Sequence, residues 1–179
     1  MTTLTTAPAP FALDDPERRD KTAGDGRHDF DVLHGRWRVA HRRLRRRLEG
    51  DTQWDEFAGS SELRPILGGL GTSDDNIIEL PSGTYRGATV RVFDPQSRLW
   101  SVWWMDSRHP RLDPPLYGRF ENGVGTFLGA EVIGQRVVIV RFIWSEITAT
   151  TARWEQAFSP DAGASWEVNW IYDGTRVGP

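Results

Sequence analysis

Trp37, Val39, His41 and Arg43 alternate along a strand-like run that opens at Gly35-Arg36-Trp37. In an extended chain alternate side chains share a face. If that face is inward, an apolar base carries an imidazole able to move a proton near neutral pH and a guanidinium that keeps its charge. An interior arginine is costly unless paired, so Arg43 either meets an Asp or Glu from a neighbouring strand or waits for an acidic ligand. Asp106 supplies a matching acid. It shares a face with Trp100, Val102 and Trp104, and an aromatic setting can raise a carboxylate's pKa into a range suited to proton transfer. His41 and Asp106 are the candidate catalytic residues; the bland alternative pairs Asp106 with Arg108, Arg111 or Arg119.

Nine tryptophans in 179 residues are a compositional anomaly. Adjacent Trp103 and Trp104 must face opposite sides of their strand, so one lies outside, at a rim or at a dimer contact. Trp37, Trp104, Trp144 and Trp170, together with Arg43, are the candidate ligand-binding residues, with plain core filling as the competing account of the rings. The run His41-Arg42-Arg43-Leu44-Arg45-Arg46-Arg47 looks like a phosphate patch in isolation. A two-residue turn at Gly50-Asp51 would instead put Arg46 opposite Asp55, Arg45 opposite Glu56 and Arg47 opposite Trp54, neutralising most of it.

The elements that must position these groups read as strands. Short β-rich runs at about 35–48, 52–64, 74–80, 84–93, 98–107, 115–121, 124–132, 136–145, 150–159 and 165–174 are cut by turn pairs such as Asn122-Gly123 and Gly134-Gln135. A short helical turn (Asp29 to Leu33) precedes them, and no sustained helical period appears. Successive strands this close must be antiparallel, and closure removes the exposed edges. The expected fold is all-β: a single antiparallel up-and-down β-barrel of about ten strands over residues 28–179, after a disordered tail at 1–27. Ser159-Pro160-Asp161-Ala162-Gly163-Ala164-Ser165-Trp166 fits the Asp-box pattern, similar to the hairpin repeated around sialidase propellers. One copy cannot build a propeller, so the box is read as architectural.

Composition narrows the function classes. A net charge of −3 and a pI near 5.8 give no global basic field, so nucleic acid is not the expected partner. The chain has no cysteine, which removes disulfides, thiolate nucleophiles and cysteine metal sites. His28, His34, His41 and His109 show no metal spacing, and no phosphate loop or Gly-x-Ser-x-Gly elbow is present. No metal or other cofactor is expected. Without a secretory start or an apolar run of bilayer length, the expected setting is the cytoplasm, with no membrane partner.

A Gly-x-Trp at the head of the first strand resembles the opening of lipocalin-like barrels, where the glycine turns the chain into the sheet and the indole plugs the closed end. Nitrobindin-like barrels share that opening and hold haem through a late histidine; here no histidine follows His109. Across Asp29 to Arg176 the chain resembles an uncharacterised bacterial family of lipocalin-like (calycin-type) domains. The likeness rests on His34-Gly-Arg-Trp37, Leu67-Gly-Gly-Leu-Gly71, Tyr85-Arg-Gly87, Phe93-Asp-Pro95, Trp100-Ser-Val-Trp-Trp104, Asp113-Pro-Pro115 and Ala152 to Ser159. The resemblance implies the fold and no particular activity. The expected function is binding of a small hydrophobic or aromatic molecule, acidic if Arg43 is its anchor, in the barrel cavity. The alternative is a cofactor-independent enzyme of isomerase or cyclase type working in that cavity, and a homodimeric contact through outer aromatics stays open.

Overall fold

The computed structural model describes residues 24–179. Ten strands follow one another as β1 (Gly35–Leu44), β2 (Trp54–Ile66), β3 (Gly71–Leu80), β4 (Gly83–Asp94), β5 (Leu99–Asp106), β6 (Leu116–Glu121), β7 (Val124–Ile133), β8 (Arg136–Ser145), β9 (Thr151–Ser159) and β10 (Glu167–Gly178). Each pairs antiparallel with its chain neighbours, and β1 closes onto β10, making the expected closed up-and-down barrel. No helix among the described residues is long and apolar enough to cross a membrane. The disorder expected for 1–27 lies, for residues 1–23, outside the described residues. Residues 24–27 are tied to the barrel: Trp100 Nε1 donates to Gly26 O at 3.0 Å and Arg98 Nη2 to Gly24 O at 3.1 Å.

Alternation produces the two-sided wall. Along β1, Trp37, Val39 and His41 are buried while Arg36, Arg38, Ala40 and Arg42 are exposed, as a period of two demands. The short 3-10 turn Asp31–Leu33 stoppers one end. Trp37, 1% exposed, donates its indole N–H to Leu33 O at 2.8 Å, and the Arg176 guanidinium covers its ring at 4.3 Å. Phe30 packs edge-on to Trp100 and Phe120 in the same plug. Gly35 makes the entry possible: its φ is +119°, and a Cβ there would meet Gly178 O at 2.8 Å.

One expectation fails in register. Residues 45–53 form a longer connection than a two-residue turn, so Arg43 faces Asp55, Arg42 faces Glu56 and Leu44 faces Trp54. The partners shift accordingly. Arg45 pairs with Asp55 at 2.7 Å, Arg46 with Asp51 at 3.2 Å, and it is Arg42 that covers Trp54, at 5.2 Å. Local neutralisation therefore holds for Arg45 and Arg46, and Arg47 goes elsewhere. The Asp-box behaves as architecture: Asp161 accepts from Ser165 N and the Ser159 and Ser165 hydroxyls, which hold its carboxyl down to about 2.

The wall is thinnest between β5 and β6. Only Trp100, Val102 and the residue between them pair across it, with Gly118, Leu116 and Tyr117. The loop 107–115 arches over the gap and is fastened by Asp113 N donating to Trp104 O at 2.8 Å.

Candidate functional site

The barrel is not filled. Above the plug lies a cavity of about 110 Å³. That is of the order of the roughly 150 Å³ apolar void that admits benzene. Its walls are aromatic: Trp104, Trp144, Trp154, Trp170, Phe127 and Phe142 all contribute. Trp104 and Trp154 both meet Trp170 edge-on, at 6.4 and 5.9 Å between ring centres. Trp104 fits because Gly87 on β4 has no side chain; a Cβ there would come within 2.2 Å of the indole.

Polar groups are buried among these rings. Inward alternation on β3 and β4 brings Asp74 to Arg91, whose Nη2 donates to Asp74 Oδ2 at 2.7 Å with both side chains 5% exposed or less. Asp74 Oδ1 accepts from Thr89 N at 2.7 Å and Asn76 Nδ2 at 2.6 Å, so the carboxylate is well served. Among the described residues the remaining Arg91 Nε and Nη1 have no hydrogen-bond partner, and the guanidinium faces rings instead, 5.0 Å from Phe30 and 5.8 Å from Trp144. Tyr172 is hydrogen-bonded to Ser61, and burial raises its hydroxyl pKa above the ordinary value. Gln156 Nε2 donates to Asn169 Oδ1 at 2.8 Å, leaving the Gln156 amide carbonyl on a cavity-lining side chain.

His41 lines the cavity, where sequence alternation puts it. Its Nδ1 accepts from the Trp170 indole N–H at 3.2 Å, which assigns the ring hydrogen to Nε2. Burial lowers its pKa from 6.5 to about 4. Because the folded state resists a proton that the unfolded chain takes up, the contribution is complete above pH 6.5 and is lost as pH falls toward 4. Urea titrations of wild type and His41→Gln across that window are expected to differ by up to about 3 kcal/mol in pH-dependent stability. Parallel curves would show that His41 is not a buried neutral imidazole.

The other expected residues divide. Trp104, Trp144 and Trp170 line the cavity; Trp37 lies in the plug outside its walls. Arg43 does not line it but stands 4.8 Å over Trp170, and among the described residues it has no ion pair, so the neighbouring-strand carboxylate is not its partner. Asp106 takes the alternative the sequence left open, a pairing with Arg108. Burial works to raise its pKa, but hydrogen bonds from the Arg108 side chain at 2.6 Å and from the Arg108 and His109 backbone outweigh this and leave it lowered. It is outside the cavity lining, and its acceptors are occupied. Sequence reasoning missed Asp74, Arg91, Tyr172, Asp113 and Glu131. The last two are half-buried lining carboxyls that burial pushes up, each also raised by a neighbouring acid. Among the described residues no three His, Asp or Glu are grouped as metal ligands would be.

No family model matches this chain, and no curated protein matches its sequence. Among solved structures it is similar to an S-type phycobiliprotein lyase, CPES, from Guillardia theta. The TM-score is 0.57 over 83% of this chain and 90% of that one, at 8% identity. An identity that low speaks to the fold alone, and with the closed ten-strand barrel it fits a calycin-type architecture.

Proposed function

We propose that the barrel binds a small hydrophobic or aromatic molecule in its cavity. The observation that supports this most is the unfilled, ring-walled chamber holding His41, Arg91, Gln156 and Tyr172 as buried polar groups. A barrel built only to be stable would close that space, since an empty cavity costs packing energy. The resemblance to an uncharacterised lipocalin-like family carries no activity, so the chamber itself supports the reading.

Native mass spectrometry of the purified protein, with tryptophan fluorescence against a panel of single-ring compounds, tests it. Wild type is expected to carry or take up a ligand that quenches its tryptophans. Val140→Phe, which adds a ring inside the chamber from β8, is expected to weaken uptake about tenfold or more. Equal uptake by both proteins would place the ligand elsewhere.

A second reading, a cofactor-independent isomerase or cyclase, draws on Asp113 and Glu131, whose raised pKa values suit proton exchange. The structural neighbour is itself named a lyase, so the shared fold is compatible with chemistry. The two readings separate on whether a bound molecule is recovered with its structure unchanged after incubation.

A further inference from the structure

Two arginines at the open end of the barrel make no ion pair with a carboxylate among the described residues. Arg43 follows His41 along the inward face of β1 and lies over Trp170, a wall of the cavity, at 4.8 Å. Arg47, in the connection to β2, lies over Phe158 at 5.6 Å. Both are half-buried, and among the described residues neither has an ion pair or hydrogen bond, while Arg45 and Arg46 beside them are paired to Asp55 and Asp51. Tyr85 lies within charge range of both. It is 6% exposed, and its hydroxyl is buried without a hydrogen-bond partner among the described residues.

The acids nearby do not account for this. Asp106 is committed to Arg108 and two backbone N–H groups. Glu167 receives Leu48 N on both oxygens, at 2.9 and 3.0 Å. Glu131 lies within charge range of Arg47 but makes no ion pair with it, and burial pushes the carboxyls of Glu131 and Asp113 up, which disfavours their charged form. The charge that Arg43 and Arg47 carry without an ion pair is positive. It sits on planar groups already fixed against rings, so little side-chain freedom remains to be lost when an oxyanion arrives.

We propose that the mouth of the cavity is an anion subsite, where Arg43 and Arg47 bind the carboxylate of an amphipathic acid and Tyr85 donates a hydrogen bond to it. The acid's apolar ring enters the tryptophan-walled chamber. This rests on the cavity-binding reading and adds to it the class of ligand, a single-ring organic acid.

Calorimetric titration with three compounds of one shape tests it: 3-phenylpropionate, the neutral 3-phenylpropanamide and the cationic 3-phenylpropylamine. The acid is expected to bind wild type about tenfold or more tighter than the amide, as charged hydrogen bonds would give. In Arg43→Met/Arg47→Met, which keeps apolar cover on both rings, the advantage of the acid over the amide should disappear. The urea midpoint of the double variant reports separately that it is folded. Tyr85→Phe should weaken the acid about fivefold and leave the amide alone. An acid no better than the amide, or an amine that binds best, would overturn the anion subsite and leave the cavity reading standing. No binding of any of the three up to about 10 mM, weaker than the millimolar affinity of the poorest specific ligands, would overturn both.

Discussion

Asp74→Asn is expected to lower stability by about 3–5 kcal/mol, because removing one partner of a buried pair strands the other's charge. Among the described residues Arg91 has no second carboxylate to turn to: its Nη2 meets Asp74 Oδ2, and its guanidinium otherwise faces Phe30 and Trp144. The same change disturbs Asp74 Oδ1, which joins β3 to β4 by accepting from Thr89 N. Urea denaturation at pH 7 reads the loss as a shift in midpoint at constant slope. The companion Asp74→Leu/Arg91→Met removes both charges at once, and buried pairs replaced by apolar residues are often neutral. It should recover most of the loss. If Asp74→Asn costs under about 1 kcal/mol, the two rings alone are stabilising Arg91.

Trp37→Ala should cost a comparable amount, about 3–5 kcal/mol, the range for emptying a large aromatic site in a core. The indole is more than filler. Its N–H holds the 3-10 turn at Leu33 O, and its ring is the platform for Arg176, which also donates to the carbonyls of Val32, His34 and Ala149. Removing the ring loosens the lid, the first strand and the last strand together. Hydrogen exchange is expected to show loss of protection concentrated where β1 meets β10. Trp37→Phe keeps a ring and should lose less than half as much; equal losses for the two variants would mean that the indole N–H, not the ring, holds the plug.

How far the sequence foretells this molecule depends on how local the information is. Strand count and order are legible because tight turns advertise themselves: Asn122 and Gly123 both take positive φ, as does Gly134. The β1–β2 register is not, since residues 45–53 are held by ion pairs of Arg45 with Asp55 and Arg46 with Asp51 that no turn rule encodes. The same contrast runs through the site. Alternation from Trp37 carries His41 inward, and Arg91 shares a face with Phe93 two residues on, a signal that was there to be used. Asp74 is harder. It sits in Thr72-Ser73-Asp74-Asp75-Asn76, a polar stretch with no apolar beat to say which face is inner. Asp106 lies between these cases: Arg108 is one of three arginines the sequence offers it, and only the fold picks Arg108, which folds back from two residues away, over Arg111 and Arg119. Asp113 reaches the cavity only through the path of the loop over β5 and β6.

Closure through β1 and β10 also has a bearing on how the chain is made. His41 and Trp170, which share a hydrogen bond, are 129 residues apart. Contacts so distant are formed last and slowly, because the intervening chain must be ordered before they repay its entropy. On the ribosome β1 must wait with one edge unpaired until the final strand emerges, a period when it is open to joining the wrong neighbour. The outward Arg36, Arg38 and Arg42 give that waiting edge a run of like charge that discourages a second nascent chain from docking beside it. Since β10 also supplies Trp170 and Tyr172 to the chamber, no partly synthesised chain has a site to fill. The chamber is complete only when β10 closes the barrel.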